Sequence, residues 1–116
     1  MTVDQIRDCC LLLPAVTEQI QWQDNLVFKV KGKIFLVQGL EPGSGTSLKC
    51  TEDEFYTLPE LPGIRPAPYL ARAKWIQIDP YECQFSADEM VRLIRQSYDL
   101  VVSKLPKKTQ QQLRSS

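Results

Sequence analysis

The clearest hydrophobic pattern in the chain lies near its C-terminal end. Apolar side chains recur there at helical spacing and predict a helix over residues 87–105. Ser86 and Glu89 have the spacing of a capping box, and Pro106 ends the pattern. The apolar side chains of this helix are Met90, Val91, Ile94, Tyr98, Val101, Val102 and Leu105.

The first residues of the chain predict a second helix, over residues 3–13. Thr2 and Gln5 have capping-box spacing, and Pro14 ends the helical pattern. The apolar residues that share one face of this helix are Val3, Ile6, Cys10 and Leu13. A further capping box at residues 51–54 predicts a short third helix.

Five segments show the alternation or the short apolar runs that are typical of β-strands. They are residues 16–22, 26–30, 34–37, 47–50 and 75–78. Segment 34–37 is apolar on both faces, which is typical of a central strand. The predicted fold class is therefore α+β, with a single antiparallel sheet of about five strands and the N- and C-terminal helices packed on one face.

This pattern predicts one domain over residues 1–106, followed by a polar, basic C-terminal tail at residues 107–116. The second face of the sheet is expected to be half open to solvent. The side chains that we expect to be largely buried are Phe28, Val30, Phe35, Val37, Trp75, Ile94, Tyr98 and Val101.

Composition narrows the class of protein. The 116 residues include 14 basic and 14 acidic side chains and no histidine, so the commonest general base and metal ligand is missing. The four cysteines form no Cys-x-x-Cys pair. We therefore predict a protein that is not an enzyme and holds no metal and no cofactor. No apolar run is long enough to span a bilayer and no basic leader is evident, so we expect a cytoplasmic protein without a membrane partner.

The charges are distributed unevenly although they sum to zero. Four lysines and one acid lie in residues 29–50, four acids and no base in residues 51–62, and six bases with one acid in residues 92–116. These blocks can fold into a basic face and an acidic face, or they can be solvated charges scattered over the surface.

Segment 65–75 is basic, aromatic and stiffened by prolines at 66 and 68. Its stacking faces and cations are the chemistry that binds single strands and phosphates. In the alternative interpretation, Tyr69 and Trp75 are buried plugs and the cations of the segment pair with nearby acids. Burial is favoured for Trp75, which begins a strand, whereas Tyr69 fits either role. Cys50 also allows two interpretations, a thiol activated by Lys49 or a packed core residue.

The chain resembles the MmcQ/YjbR family over nearly its whole length. The resemblance is carried by residues 2–18, 27–35, 48–50, 62–75 and 97–108. It implies a frataxin-like (CyaY-like) α+β fold with a proposed "double wing" mode of DNA binding. Family members often carry histidines just before the conserved tryptophan, where this chain has Pro-Tyr-Leu-Ala-Arg-Ala-Lys-Trp75.

The predicted nucleic-acid-binding residues are ten cations and one tyrosine: Lys29, Lys31, Lys33, Lys49, Arg65, Tyr69, Arg72, Lys74, Lys104, Lys107 and Lys108. The three lysines of residues 29–33 alternate along a hairpin, so they can project together from one face or from the tip, like a wing. The three lysines of residues 104–108 lie at the C-terminal end of the last predicted helix, where they can also offset its negative end.

Two hypotheses about function follow. The first is a non-enzymatic protein that binds DNA through a basic sheet face and the loop 65–75. The alternative is a domain that binds a protein or a small ligand and uses the same loop as a wall of its pocket. Zero net charge favours the alternative, and the clustering of cations favours DNA.

Overall fold

The computed structural model describes residues 1–68 and 70–114. The helices are α1 (Val3–Leu11), α2 (Glu52–Thr57), α3 (Ala87–Val102) and α4 (Lys107–Arg114). The strands are β1 (Val16–Gln21), β2 (Asn25–Val30), β3 (Lys33–Gly39), β4 (Thr46–Lys49), β5 (Ile64–Pro66) and β6 (Trp75–Ile78). A short 3-10 turn at Leu58–Glu60 comes before β5, and another at Ala71–Ala73 lies between β5 and β6.

The strands form one antiparallel sheet with the order β1-β2-β3-β4-β6-β5. The predicted α+β class and single antiparallel sheet are confirmed, but the sheet has six strands instead of about five. The additional strand is β5, which has three residues and lies at the edge beside β6. Pro66 fits there because an edge strand can lack one backbone donor.

α1 and α3 pack on the same face of the sheet, as predicted, and their apolar stripes meet the inward side chains of the strands in one core. The capping boxes predicted at Thr2 and Thr51 are both formed. The hydroxyl of Tyr98 donates a 2.6 Å hydrogen bond to the carbonyl of Pro14, so α3 also holds the chain between α1 and β1. The largest fully buried core side chains are Phe28, Phe35, Leu36, Leu48, Ile76, Leu93 and Ile94.

Two of the eight side chains expected in the core are only half-buried. Val37 pairs with Val27 and Ser47 across the sheet and lies on the face opposite the helices. Val101 lies near the end of α3 and is half-buried against the edge of the core. The other six are buried, including Trp75, which is 6% exposed.

A bulge in the β2–β3 hairpin separates lysines that were expected on one face. The register shifts between Phe28 and Lys29, so Lys29 pairs with Ile34 while Val30 pairs with Lys33. Because Val30 points into the core, Lys33 leaves the sheet on the helix-covered side and Lys29 on the open side. Of the two arrangements that the sequence allowed, projection of both lysines from one face is therefore wrong, whereas projection from the tip of the hairpin stays a prediction.

The segment expected to be a frayed tail is helical over residues 107–114, where it forms α4. Leu113 is 5% exposed and joins the main core cluster. Gln110 donates from Nε2 to the carbonyl of Leu105 over 2.7 Å, which ties α4 to the end of α3. α3 itself ends at Val102, three residues before the predicted boundary at 105.

β1 ends at Gln21, because Trp22 and Gln23 have left-handed backbone with φ values of 50° and 69°. The predicted strand over residues 16–22 is thus one residue too long, and its apolar side chains Ile20 and Trp22 are both exposed. β1 is the other edge of the sheet.

Candidate nucleic-acid interface

A groove of about 380 Å³ lies at the end of the sheet where α3 finishes. Its apolar lining comes from two strands and the end of α3, and three lysines complete it. The lining residues are Ile34, Trp75, Val101 and Leu105 together with Lys33, Lys49 and Lys104. No carboxylate lines the groove within the part of the chain that the structure describes.

Lys49 is fixed in this groove by its backbone and by its side chain. Its backbone N–H donates to the hydroxyl of Ser97 over 2.9 Å, and its ammonium donates to the carbonyl of Ala73. The Ser97 hydroxyl in turn donates to the carbonyl of Phe35 over 2.6 Å. One buried serine of α3 therefore connects β3 and β4 where the groove begins.

The lysines of the groove are not neutralised. Burial lowers the pKa of Lys49, and the nearby positive charges of Lys104 and Lys74 lower that pKa further. Every ion pair among the described residues (1–68 and 70–114) uses an arginine. Arg7 pairs with Glu18, and Arg92 pairs with Glu54 and Glu89. Like charges kept together without counter-charges repel one another, and an anion placed among them would relieve that repulsion.

Lys74 lies beside the groove, with its ammonium directed at α2. It is 5.0 Å from the ring centroid of Phe55 and 5.1 Å from that of Tyr56. The same ammonium donates to the Tyr56 hydroxyl over 3.2 Å. The sequence allowed this cation to pair with an acid, but the structure gives it two aromatic faces.

Trp75 follows Lys74 and is buried, which confirms the structural role favoured by the sequence. It is excluded from the main core cluster, because it pairs with Lys49 on the face that carries Ser47 and Gln77. Since it is almost inaccessible, the indole can support the groove but cannot stack on a base.

Four other predicted cations lie outside the groove. Lys29 donates to the Gln19 side chain over 3.4 Å on the open face, and Lys31 is exposed in the hairpin turn. Arg72 is exposed on the 3-10 turn before β6. Arg65 donates from Nε to the Gln77 side chain over 2.7 Å and lines a different cavity.

Lys107 and Lys108 are the first residues of α4 and are exposed. The helix-dipole explanation is therefore wrong for them, because they lie at the positive end of a new helix. It remains applicable to Lys104, which follows α3. Tyr69, the predicted stacking residue, lies outside the described residues.

The cysteines have the character of packed thiols. All four are free. Burial raises the pKa of Cys50 to about 11 and outweighs the opposite effect of Lys49, so the activated thiol that the sequence allowed is not formed. Burial also raises the pKa of Cys10 and Cys9. No group of three or more His, Cys, Asp or Glu in the described ranges is arranged to hold a metal ion.

The comparison with protein families decides the relationship that the sequence suggested. The YjbR family model matches residues 11–100. This chain belongs to the YjbR family. That match includes the lysines of the β2–β3 hairpin, Lys49 and the whole of segment 65–75, whereas Lys104 and α4 lie beyond it.

A solved structure has a fold similar to that of this YjbR protein. A crystal structure of a protein from Pseudomonas syringae superimposes with a TM-score of 0.72 and 22% sequence identity, covering 86% of this chain and 98% of that one. At this identity the likeness concerns the fold alone. No curated protein matches the chain. Of the helices in the described residues, none is long and apolar enough to cross a membrane.

Proposed function

We propose that this member of the YjbR family is a non-enzymatic, cytoplasmic DNA-binding protein that holds phosphates in its lysine groove. The observation that carries the proposal is the convergence of Lys33, Lys49 and Lys104 on one groove, to which the described residues contribute no carboxylate. These lysines come from a hairpin, an interior strand and the end of a helix, which are far apart in the sequence.

The chemistry of the groove favours the backbone of DNA over its bases. Lysine ammonium groups contact phosphates as point charges and carry no sequence information. The aromatic residue that lines the groove, Trp75, is 6% exposed and offers no stacking face. Duplex DNA, which has the higher charge density, is therefore the favoured ligand, and binding would not depend on sequence.

The frataxin-like (CyaY-like) fold and the double-wing mode that the family resemblance implies belong to the same proposal. The β2–β3 hairpin would act as one wing, with Lys33 at the groove and Lys31 at the adjacent turn. The bulge supports this role because it directs Lys33 toward the end of α3 instead of toward the open face.

The decisive experiment compares two triple variants with the same change in net charge. One replaces Lys33, Lys49 and Lys104 by glutamine. The control replaces Lys29, Lys107 and Lys108, which do not line the groove. Fluorescence anisotropy with a labelled DNA duplex, at about 50 mM and about 200 mM salt, would measure affinity and its salt dependence.

We expect the unmodified protein to lose affinity with salt at a logarithmic slope of about −3, because each neutralised phosphate contributes about −0.9. The groove variant should lose most of this binding, and the control should keep most of it. Equal losses in both variants would mean diffuse attraction to surface charge. Absence of binding at low salt would count for the alternative, a domain that recognises a protein or a small ligand.

A further inference from the structure

A second cavity, of about 410 Å³, opens on the sheet face that the helices leave uncovered. It lies at the opposite end of β4 and β6 from the lysine groove, since it uses Ser47 and Gln77 where the groove uses Lys49 and Trp75. Its other walls are the loop 43–45, the start of β5 and the loop 79–82 that follows β6. The volume is within the range of small-molecule sites, about 300–1,000 Å³.

The floor of this cavity presents hydrogen-bonding groups that no described residue uses. The Ser47 hydroxyl and the Asn25 carboxamide line the cavity. Neither group has a hydrogen-bond partner among the described residues. Gln77 accepts from Nε of Arg65 through its side-chain oxygen, which leaves its amide N–H groups available. The two terminal nitrogens of Arg65 remain available too, and their paired N–H groups suit a carboxylate.

Charges of both signs line the same cavity without pairing. Arg65 is on one strand, and Asp79 and Glu82 are on the loop after the next strand. No ion pair joins Arg65 to either carboxylate in the part of the chain described here. Asp79 is held in place because one of its oxygens accepts from the backbone N–H groups of Tyr81, at 2.8 Å, and Glu82, at 3.1 Å.

The rim of the cavity is built by close packing around glycine. Four of the five glycines in the chain line it. A Cβ on Gly45 would lie 2.8 Å from the carbonyl oxygen of Ile78, so the loop backbone can rest directly on the end of β6. A Cβ on Gly43 would lie 3.2 Å from the ring of Tyr81, which is 77% exposed at this rim. An apolar surface therefore adjoins the polar floor.

We propose that this cavity binds a small zwitterion of the amino-acid class. The ligand carboxylate would meet the terminal nitrogens of Arg65 and the Ser47 hydroxyl, and its ammonium would meet Glu82 and Asp79. A simple anion would be repelled by the two carboxylates, and a simple cation by Arg65. A molecule that carries both charges can pair with Arg65 on one wall and with the two carboxylates on the other. Its side chain can lie against Tyr81.

This site is independent of the DNA proposal, because no described residue lines both sites. The test is a titration of the ¹⁵N-labelled full chain with each of the standard L-amino acids at millimolar concentration, followed by amide chemical shifts. We expect saturable shifts confined to the lining segments, residues 43–47, 63–65 and 77–82, with at least one amino acid. Absence of saturable shifts with all of them would overturn the proposal.

Each charge of the ligand is tested with matched compounds. For an amino acid that binds, its carboxamide lacks the carboxylate charge and its des-amino acid lacks the ammonium. Both should bind about tenfold more weakly or worse, because a charge-assisted hydrogen bond is lost. Equal affinity for either compound would contradict the assignment of a zwitterion.

The protein side is tested with Arg65→Met, which should weaken binding about tenfold. Glu82→Gln should weaken binding of the amino acid but improve binding of its des-amino analogue, an inversion that a merely structural role would not produce. Lys104→Gln, in the lysine groove, is the matched control and should leave the affinity unchanged. Unchanged affinity in Arg65→Met would refute the site.

Discussion

The hydroxyl of Ser97 donates a 2.6 Å hydrogen bond to the backbone carbonyl of Phe35. The same hydroxyl accepts the backbone N–H of Lys49 over 2.9 Å, and Ser97 is 0% exposed. A single helical side chain therefore satisfies two backbone groups of neighbouring strands. Because Lys49 lines the lysine groove, this contact also fixes the backbone from which that lysine projects.

Ser97→Ala should lower the free energy of unfolding by about 1–3 kcal/mol, since it leaves the partly buried N–H of Lys49 and the buried carbonyl of Phe35 without their partner. Urea denaturation would measure the loss. Ser103→Ala is the matched control, because that serine is exposed and its hydroxyl bonds only to Leu100 within the helix end. The control should change stability by under about 0.5 kcal/mol. Equal effects of the two substitutions would contradict the bridging role.

Lys74→Ala should destabilise the fold by about 1 kcal/mol, through loss of the contacts between the ammonium and the rings of Phe55 and Tyr56. Lys74 also has a left-handed backbone, with φ at 63°. Lys74→Gly should therefore be more stable than Lys74→Ala by about 1 kcal/mol, because glycine adopts this conformation without a Cβ clash. If alanine and glycine were equivalent in thermal or urea unfolding, the backbone argument would be wrong.

Leu113→Ala should cost about 2 kcal/mol of unfolding free energy, because Leu113 is 5% exposed and anchors α4 to the core. Lys108→Ala, on the exposed side of the same helix, is the control and should have little effect. Chemical denaturation of both variants would distinguish a docked helix from a tail. Identical stability would mean that α4 adds nothing to the core.

The parts of the fold that were predictable are those with a strong hydrophobic period. The stripe of α3 and the hairpin of β2 and β3 are readable because they bury one face against a large core. β5 was not predicted, because a strand of three residues that includes a proline is too short to show a hydrophobic alternation. α4 escaped for a similar reason, as Leu113 is the only buried residue in a polar segment of eight.

The candidate sites were predictable in composition but not in arrangement. Lys33, Lys49 and Lys104 were all among the predicted cations, yet their convergence depends on the bulge at Lys29 and on where α3 ends. The alternative hypothesis expected segment 65–75 to form a wall of a pocket, and Arg65 of that segment does line a cavity, but the other residues of that cavity were not foreseen. Its floor consists of uncharged side chains such as Ser47 and Gln77, which look like ordinary strand residues until the sheet brings them together.

The buried thiol of Cys50 makes the fold sensitive to alkaline pH. Its pKa is raised from 9.0 to about 11 in the folded protein. Above pH 9.0 the unfolded chain loses this proton while the folded chain keeps it, so the unfolded state binds fewer protons and stability falls as pH rises through about 11. Below pH 9.0 the contribution is fully present.

Four other groups bear on the same pH range and must be separated from Cys50. Cys9, Cys10 and Tyr98 act in the same direction, because burial raises the pKa of each. Lys49 acts oppositely, since its pKa is lowered from 10.5, and the unfolded chain binds the extra proton below that value. The difference in unfolding free energy between the unmodified protein and Cys50→Ala removes the contributions of the other groups and leaves that of Cys50 together with its electrostatic coupling to Lys49, because each of these two groups shifts the pKa of the other.

We expect that difference to shrink as urea denaturation is repeated at rising pH, beginning near the ordinary pKa of 9.0 and approaching about 11. Below pH 9.0 the variant should lose a constant amount of stability, which reflects the packing of the missing sulfur and its 3.5 Å hydrogen bond to the carbonyl of Lys74. At higher pH the free energy of unfolding falls in the unmodified protein alone, because its Cys50 ionises more readily in the unfolded chain than in the core. A difference that is independent of pH throughout this range would mean that Cys50 ionises as readily in the folded chain as in the unfolded one.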